Sequence, residues 1–105
     1  LYLMGFSQGA MLSYAIGLAT KNVKGIAALS GYIDPRVVEV TNTTLSSIYM
    51  SHGTADMVVP YAWAEQSVEV LKDYGLTPEF HAYPQGHGIN QDNLMSIIQW
   101  LKAQL

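Results

Sequence analysis

The chain opens on an unbroken apolar run, Leu1-Tyr2-Leu3-Met4, which leads without a spacer into Gly5-Phe6-Ser7-Gln8-Gly9. A run of this kind reads as a parallel strand buried on both faces. Directly behind it, Met11, Leu12, Ala15, Ile16 and Ala19 recur at helical spacing, and Lys21-Asn22 closes the stretch, which predicts a helix from about Gln8 to Thr20. A strand and a helix joined this closely leave Ser7 in a tight turn, its backbone strained and its side chain exposed. Gly5 and Gly9, lacking Cβ atoms, would let the two elements approach around that turn. A strand feeding directly into a helix also commits the chain to crossover connections, and so to an α/β architecture.

The remaining pattern repeats that alternation. Gly25 to Ser30 and Leu45 to Ser51 are short apolar runs closed by Gly31 and Gly53, with the length and boundaries of buried strands. Between them, Asp34-Pro35 starts a turn. Tyr61, Ala64, Val68 and Leu71 line one helical face while Glu65, Glu69, Lys72 and Asp73 occupy the others, and Gly75 and Pro78 stop that helix. Glu79 to Tyr83 reads as a fourth strand, Pro84 to Asn90 as a loop, and Leu94, Ile97, Ile98 and Leu101 as the buried stripe of a last helix. The order β-α-β-β-α-β-α predicts a mostly parallel sheet of about four strands flanked by helices, with active residues in loops at the strands' C-terminal ends.

With 105 residues and 50% hydrophobic content, the chain can pack one core, and it is read as a single unit over residues 1–105. Its 8 acidic and 5 basic residues are scattered, leaving no basic stripe for a nucleic-acid backbone. No run approaches the ~18 apolar residues of a membrane span. Cysteine is absent, so disulfides, thiolate zinc sites and a cysteine nucleophile are excluded. That composition suits cytoplasm or periplasm, and cytoplasm is the expected location. Because a domain seldom begins on a buried strand, the chain is expected to be the C-terminal portion of a longer protein.

The Gly-x-Ser-x-Gly run points to Ser7 as a nucleophile, with the Gln8 N–H at the helix start as one oxyanion donor. A glycine-rich turn with an idle serine would look the same, so partners must decide. A serine hydroxyl needs a general base, and the base needs a carboxylate to hold its tautomer. Asp56 and His87 follow Ser7 in order, each in a loop immediately after a predicted strand. Asp34 is the alternative acid, although Pro35 behind it indicates ordinary turn initiation. His81, inside a strand, is expected to pack against a sheet face, and His52 to brace the acid loop. The three histidines lack metal-site spacing, and neither a metal nor a cofactor is expected. Phe6, Met57 and Trp63 are candidates for an acyl pocket, with core packing as the competing role.

Gly5-Phe6-Ser7-Gln8-Gly9-Ala10, Leu29-Ser30-Gly31, His52-Gly53-Thr54-Ala55-Asp56 with Val59-Pro60, and Gly86-His87 resemble the motifs of the phospholipase/carboxylesterase family of α/β-hydrolases, which includes the acyl-protein thioesterases. The resemblance runs over essentially the whole chain. It implies the C-terminal half of an α/β-hydrolase fold, a carboxylic ester or thioester as small-molecule substrate, and Ser7, Asp56 and His87 as nucleophile, acid and base. Family members carry further strands ahead of the nucleophile strand, and a loop among them supplies the second oxyanion donor. Without that donor, activity is expected to fall on the order of 100 to 1000-fold. The strand over residues 1–4 would then be an open edge, inviting a homo-oligomer. The rival readings are a serine peptidase of prolyl-oligopeptidase type and a catalytically idle fragment that associates through that edge.

Overall fold

A computed structural model describes residues 1–36, 38–42 and 44–104. The elements are β1 (Tyr2–Phe6), α1 (Gln8–Ala19), β2 (Gly25–Leu29), β3 (Ser47–Gly53), α2 (Tyr61–Asp73), β4 (Glu79–Tyr83) and α3 (Gln91–Gln104). Their order is the predicted one, with β1 and β3 each ending two residues later than predicted, at Phe6 and Gly53. The four strands lie side by side in the order β1-β2-β3-β4, every pair parallel. Met4, Ala27, Tyr49 and Glu79 stand in one register row, and Phe6, Leu29, Ser51 and His81 in the row nearest the C-terminal ends.

Strand side chains alternate between two cores. Ile26, Ala28, Ile48 and Met50 face α1 and α2, packing with Ala10, Tyr14, Leu18 and Leu71. Ala27, Leu29 and Tyr49 face the other way, against Ile97 and Trp100 of α3. The sheet is thus covered on both faces. All five residues of β2 are buried, which is why that strand reads as a continuous apolar run.

β1 lies at an edge of the four-stranded sheet, the open edge expected of residues 1–4, with Leu1, Tyr2, Met4 and Phe6 all exposed. Two helix expectations are corrected. In α1 the buried residues are Ala10, Ser13, Tyr14, Gly17 and Leu18, while Leu12 and Ile16 are exposed. This helix carries no charged residue, so its spacing gives the helix without the face. In α3 the inward residues are Asn93, Ile97 and Trp100, and Leu94 is exposed, because a buried asparagine takes a place that the apolar pattern assigned to leucine.

Candidate active site

Ser7 sits between β1 and α1 with φ 57° and ψ −115°, a left-handed conformation that an L residue adopts at a cost of about 1–3 kcal/mol. Its N–H donates to the Leu29 carbonyl at 2.8 Å, which carries the β1–β2 ladder one residue past the strand. Its carbonyl accepts the N–H groups of Ala10 and Met11 at 3.0 and 3.1 Å, closing the first turn of α1. The Gln8 N–H precedes these bonds and lies outside the helical ladder. Gly5 is required at this turn, since a Cβ there would lie 2.2 Å from the Gly9 backbone. Gly9 differs from expectation: a Cβ added to it meets nothing among the described residues, and its part in the close approach is its bare backbone.

Asp56 is reached through a turn after β3 and is buried, its side chain fully enclosed. Its Oδ1 accepts the N–H groups of Val58 and Val59, both at 2.8 Å, and its Oδ2 accepts the His87 Nδ1–H at 2.7 Å. Burial opposes ionisation of this carboxyl, but the hydrogen bonds from His87, Val59 and Val58 outweigh it and hold the pKa below the usual carboxylate range. His87 follows β4, packs against Phe6 at a ring-centroid distance of 5.0 Å, and places Nε2 2.9 Å from Ser7 Oγ. The structure therefore brings Ser7, His87 and Asp56 into one hydrogen-bonded series. With Nδ1 donating to the carboxylate, Nε2 is left as an acceptor for the serine hydroxyl.

The loops that carry Asp56 and His87 are tied to each other through backbone. Thr54 N–H donates to the Tyr83 carbonyl at 2.9 Å and Ala55 N–H to the Gln85 carbonyl at 3.1 Å. Gly53 permits this approach, because a Cβ there would lie 2.2 Å from Gln85 O and 2.3 Å from Gly86 O. The Gln85 side chain closes the His87 loop on itself, accepting the Asn90 N–H at 2.7 Å and donating to the Gly88 carbonyl at 2.9 Å and to Asn93 Oδ1 at 3.2 Å. Asn93, fully buried, donates from Nδ2 to the Tyr49 hydroxyl at 3.2 Å, and that hydroxyl donates to Ser96 Oγ at 2.9 Å. Burial pushes the Tyr49 hydroxyl pKa up to about 12. Sequence reasoning read Gly53 as the end of a strand and part of the motif around Asp56, and missed Gln85 and Asn93. The available signal was Asn90, whose Oδ1 accepts the Asn93 N–H at 2.8 Å as the cap of α3.

The competing residues lie elsewhere. Asp34 holds the Arg36 guanidinium through two bonds of 3.0 and 2.9 Å and also accepts the Arg36 N–H, an ordinary turn interaction. His81 stacks on Tyr49 at 5.1 Å and bonds Glu79 at 2.7 Å. His52 lies beneath the Asp56 loop, 2.7 Å from the Val59 carbonyl.

A cleft of about 480 Å³ opens at Ser7, lined by Phe6, Gln8, Met11, Tyr32, Val58, Val59 and Trp63. Tyr32 and Trp63 form an aromatic pair at 4.8 Å along it. Core packing was the competing expectation for Phe6, Met57 and Trp63, and none of the three is buried. Phe6 and Trp63 line the cleft, whereas Met57 is 93% exposed and does not.

This architecture recurs in known proteins. The solved structure of esterase PE8 superposes with a TM-score of 0.90 at 34% identity, over 99% of this chain and 50% of that one. Carboxylesterase SOBER1 of Arabidopsis thaliana is 35% identical over 99% of this chain and 48% of its own length. Acyl-protein thioesterase 1 of Debaryomyces hansenii is 31% identical over 92% of this chain and 45% of its own. The chain thus spans about half the length of the curated relatives it matches. The family model described as phospholipase/carboxylesterase matches residues 1–105, and the chain belongs to that family of α/β-hydrolases.

Proposed function

We propose that the protein hydrolyses carboxylic esters or thioesters through an acyl-enzyme formed on Ser7. The observation that carries this reading is the series Ser7 Oγ, His87 Nε2, His87 Nδ1, Asp56 Oδ2, with contacts of 2.9 and 2.7 Å. His87 takes the Ser7 proton as Oγ attacks the acyl carbon, and the carbonyl π electrons move onto oxygen. The tetrahedral intermediate collapses, and His87 returns the proton to the departing alkoxide or thiolate. Water, deprotonated by His87, then attacks the ester on Ser7, and collapse releases the acid and restores the hydroxyl. Asp56 stabilises the imidazolium at both stages, and the Gln8 N–H donates to the oxyanion. The aromatic cleft beside Ser7 is suited to an acyl chain.

Replacing Ser7 with alanine in a protein carrying residues 1–105 is expected to abolish hydrolysis of short p-nitrophenyl esters and labelling by a fluorophosphonate probe. Retention of either overturns the assignment. Faster turnover of peptide amides than of esters would instead identify a peptidase.

A second reading concerns the sheet edge. Leu1 and the β1 residues Tyr2, Met4 and Phe6 are exposed along the sheet edge, Leu12 and Ile16 are exposed on α1, and these features favour association of isolated 105-residue chains. Sedimentation velocity on that chain is expected to show dimers or larger species. A monomer at all concentrations contradicts it.

A further inference from the structure

The proposed mechanism makes no use of His52, although this ring is only 1% exposed and lies directly under the acid. It stands one residue from the end of β3, on the sheet face that Ile48 and Met50 share. Its Nε2 is 2.7 Å from the Val59 carbonyl, which can only accept, so Nε2 carries a proton and donates it there. The same Nε2 is 3.4 Å from Asp56 Oδ2, the oxygen that also accepts from His87. Nδ1 is buried without a partner among the described residues.

These contacts hold Val59 at both ends. Its N–H is bonded to Asp56 Oδ1 and its carbonyl to His52, while Val59 itself is 3% exposed. The carboxylate is thus gripped through the loop that His52 closes, and its outer oxygen also faces the His52 N–H. A ring with an unpaired buried nitrogen is a costly way to fill space beside Met50. What it supplies that an aliphatic side chain lacks is a rigid donor aimed at the loop and at the carboxylate.

We propose that His52 is a positioning residue: its Nε2–H fixes the Val59 carbonyl and thereby the orientation of Asp56 Oδ2 toward His87. This rests on the reading of Asp56 as the acid of the site. The test compares His52→Gln and His52→Met, side chains of similar shape of which only glutamine can donate, each alone and combined with Asp56→Asn. His52→Met is expected to lower kcat on the order of 10 to 100-fold with KM within about twofold, as for a misplaced catalytic group. His52→Gln is expected to recover most of that loss. In the Asp56→Asn background, His52→Met is expected to add less than about twofold, because residues acting as a unit are not additive. Equal losses in the two His52 variants, or full additivity with Asp56→Asn, overturn the proposal. A parental rate in Asp56→Asn alone would overturn the underlying acid assignment instead. Nitrogen-15 NMR of the unsubstituted protein supplies a readout that no folding defect can obscure. It is expected to show a slowly exchanging proton on His52 Nε2, and a proton on Nδ1 alone overturns the proposal.

Discussion

Substituting Gly53 with alanine should damage the site although the residue touches none of its three functional groups. The new Cβ would stand 2.2 Å from the Gln85 carbonyl oxygen and 2.3 Å from that of Gly86. An unstrained carbon-to-oxygen contact needs about 3.3 Å, so the backbone just ahead of His87 must retreat by about 1 Å. Both atoms are main chain, and Gln85 O already holds the Ala55 N–H, so no flexible side chain can absorb the shift. His87 now reaches Ser7 at 2.9 Å and Asp56 at 2.7 Å. Moving it by about 1 Å takes those contacts beyond the range of a good hydrogen bond. A displacement of that size costs on the order of 100-fold in rate, about 2.7 kcal/mol of transition-state stabilisation. The assay is kcat/KM for a short p-nitrophenyl ester in a protein carrying this chain, with circular dichroism to establish that the variant is folded. Gly86→Ala is the control, because its Cβ meets nothing within 4 Å, and it should stay within about twofold. A folded Gly53→Ala variant within about threefold of the parent would refute the reasoning.

Ser7→Gly should abolish turnover yet raise stability by about 1 kcal/mol, because glycine accepts the positive φ that strains serine; a fall in the denaturation midpoint would contradict this. The folded-state pKa of Asp56 is depressed, so its stabilisation is fully present above the unfolded carboxyl value of about 4 and is lost as pH falls through the lower folded value. Urea unfolding between about pH 2 and 6 should show stability declining toward acid more steeply in the parent than in Asp56→Asn, and parallel curves would contradict the assignment. Asn93→Leu should cost about 1–3 kcal/mol, since it removes the buried hydrogen bonds to Gln85 Nε2 and the Tyr49 hydroxyl, and an unchanged thermal midpoint would show that the network contributes nothing.

Element order was legible in the sequence because the switch between short apolar runs and helical spacing is a local signal, punctuated by Gly31, Gly53, Gly75 and Pro78. Which face each helix buries was less so. α2 has charged residues that mark its outer side, and Ala64 and Leu71 turn inward as its pattern indicates. α1 has none, and small residues such as Ala10 and Gly17 settle against the sheet while Leu12 and Ile16 remain outside. A buried Asn93 likewise carries no hydrophobic signal. It is inside because three hydrogen-bonding groups, of Gln85, Asn90 and Tyr49, meet it there, and such meetings have no sequence period.

The candidate site was legible for a different reason. Ser7, Asp56 and His87 could be singled out because each follows a strand, and in a parallel sheet all strand C-termini lie on one rim. What the sequence does not carry is how the rim holds them at bonding distance. The structure does this by extending the ladder past the strands: Ser7 N–H to Leu29, Ser30 N–H to Ser51, and Thr54 N–H to Tyr83 are each backbone bonds between neighbouring strands' exits. These contacts need no particular side chain, only the absence of one at Gly5 and Gly53, where a Cβ would strike main chain. Side-chain identity at three positions therefore indicates the chemistry, while the spacing among them is set by backbone register and two missing Cβ atoms. A substitution that preserves all three functional groups can still separate them by altering the rim, and Gly53 is the position where the least chemistry would be changed for the largest displacement.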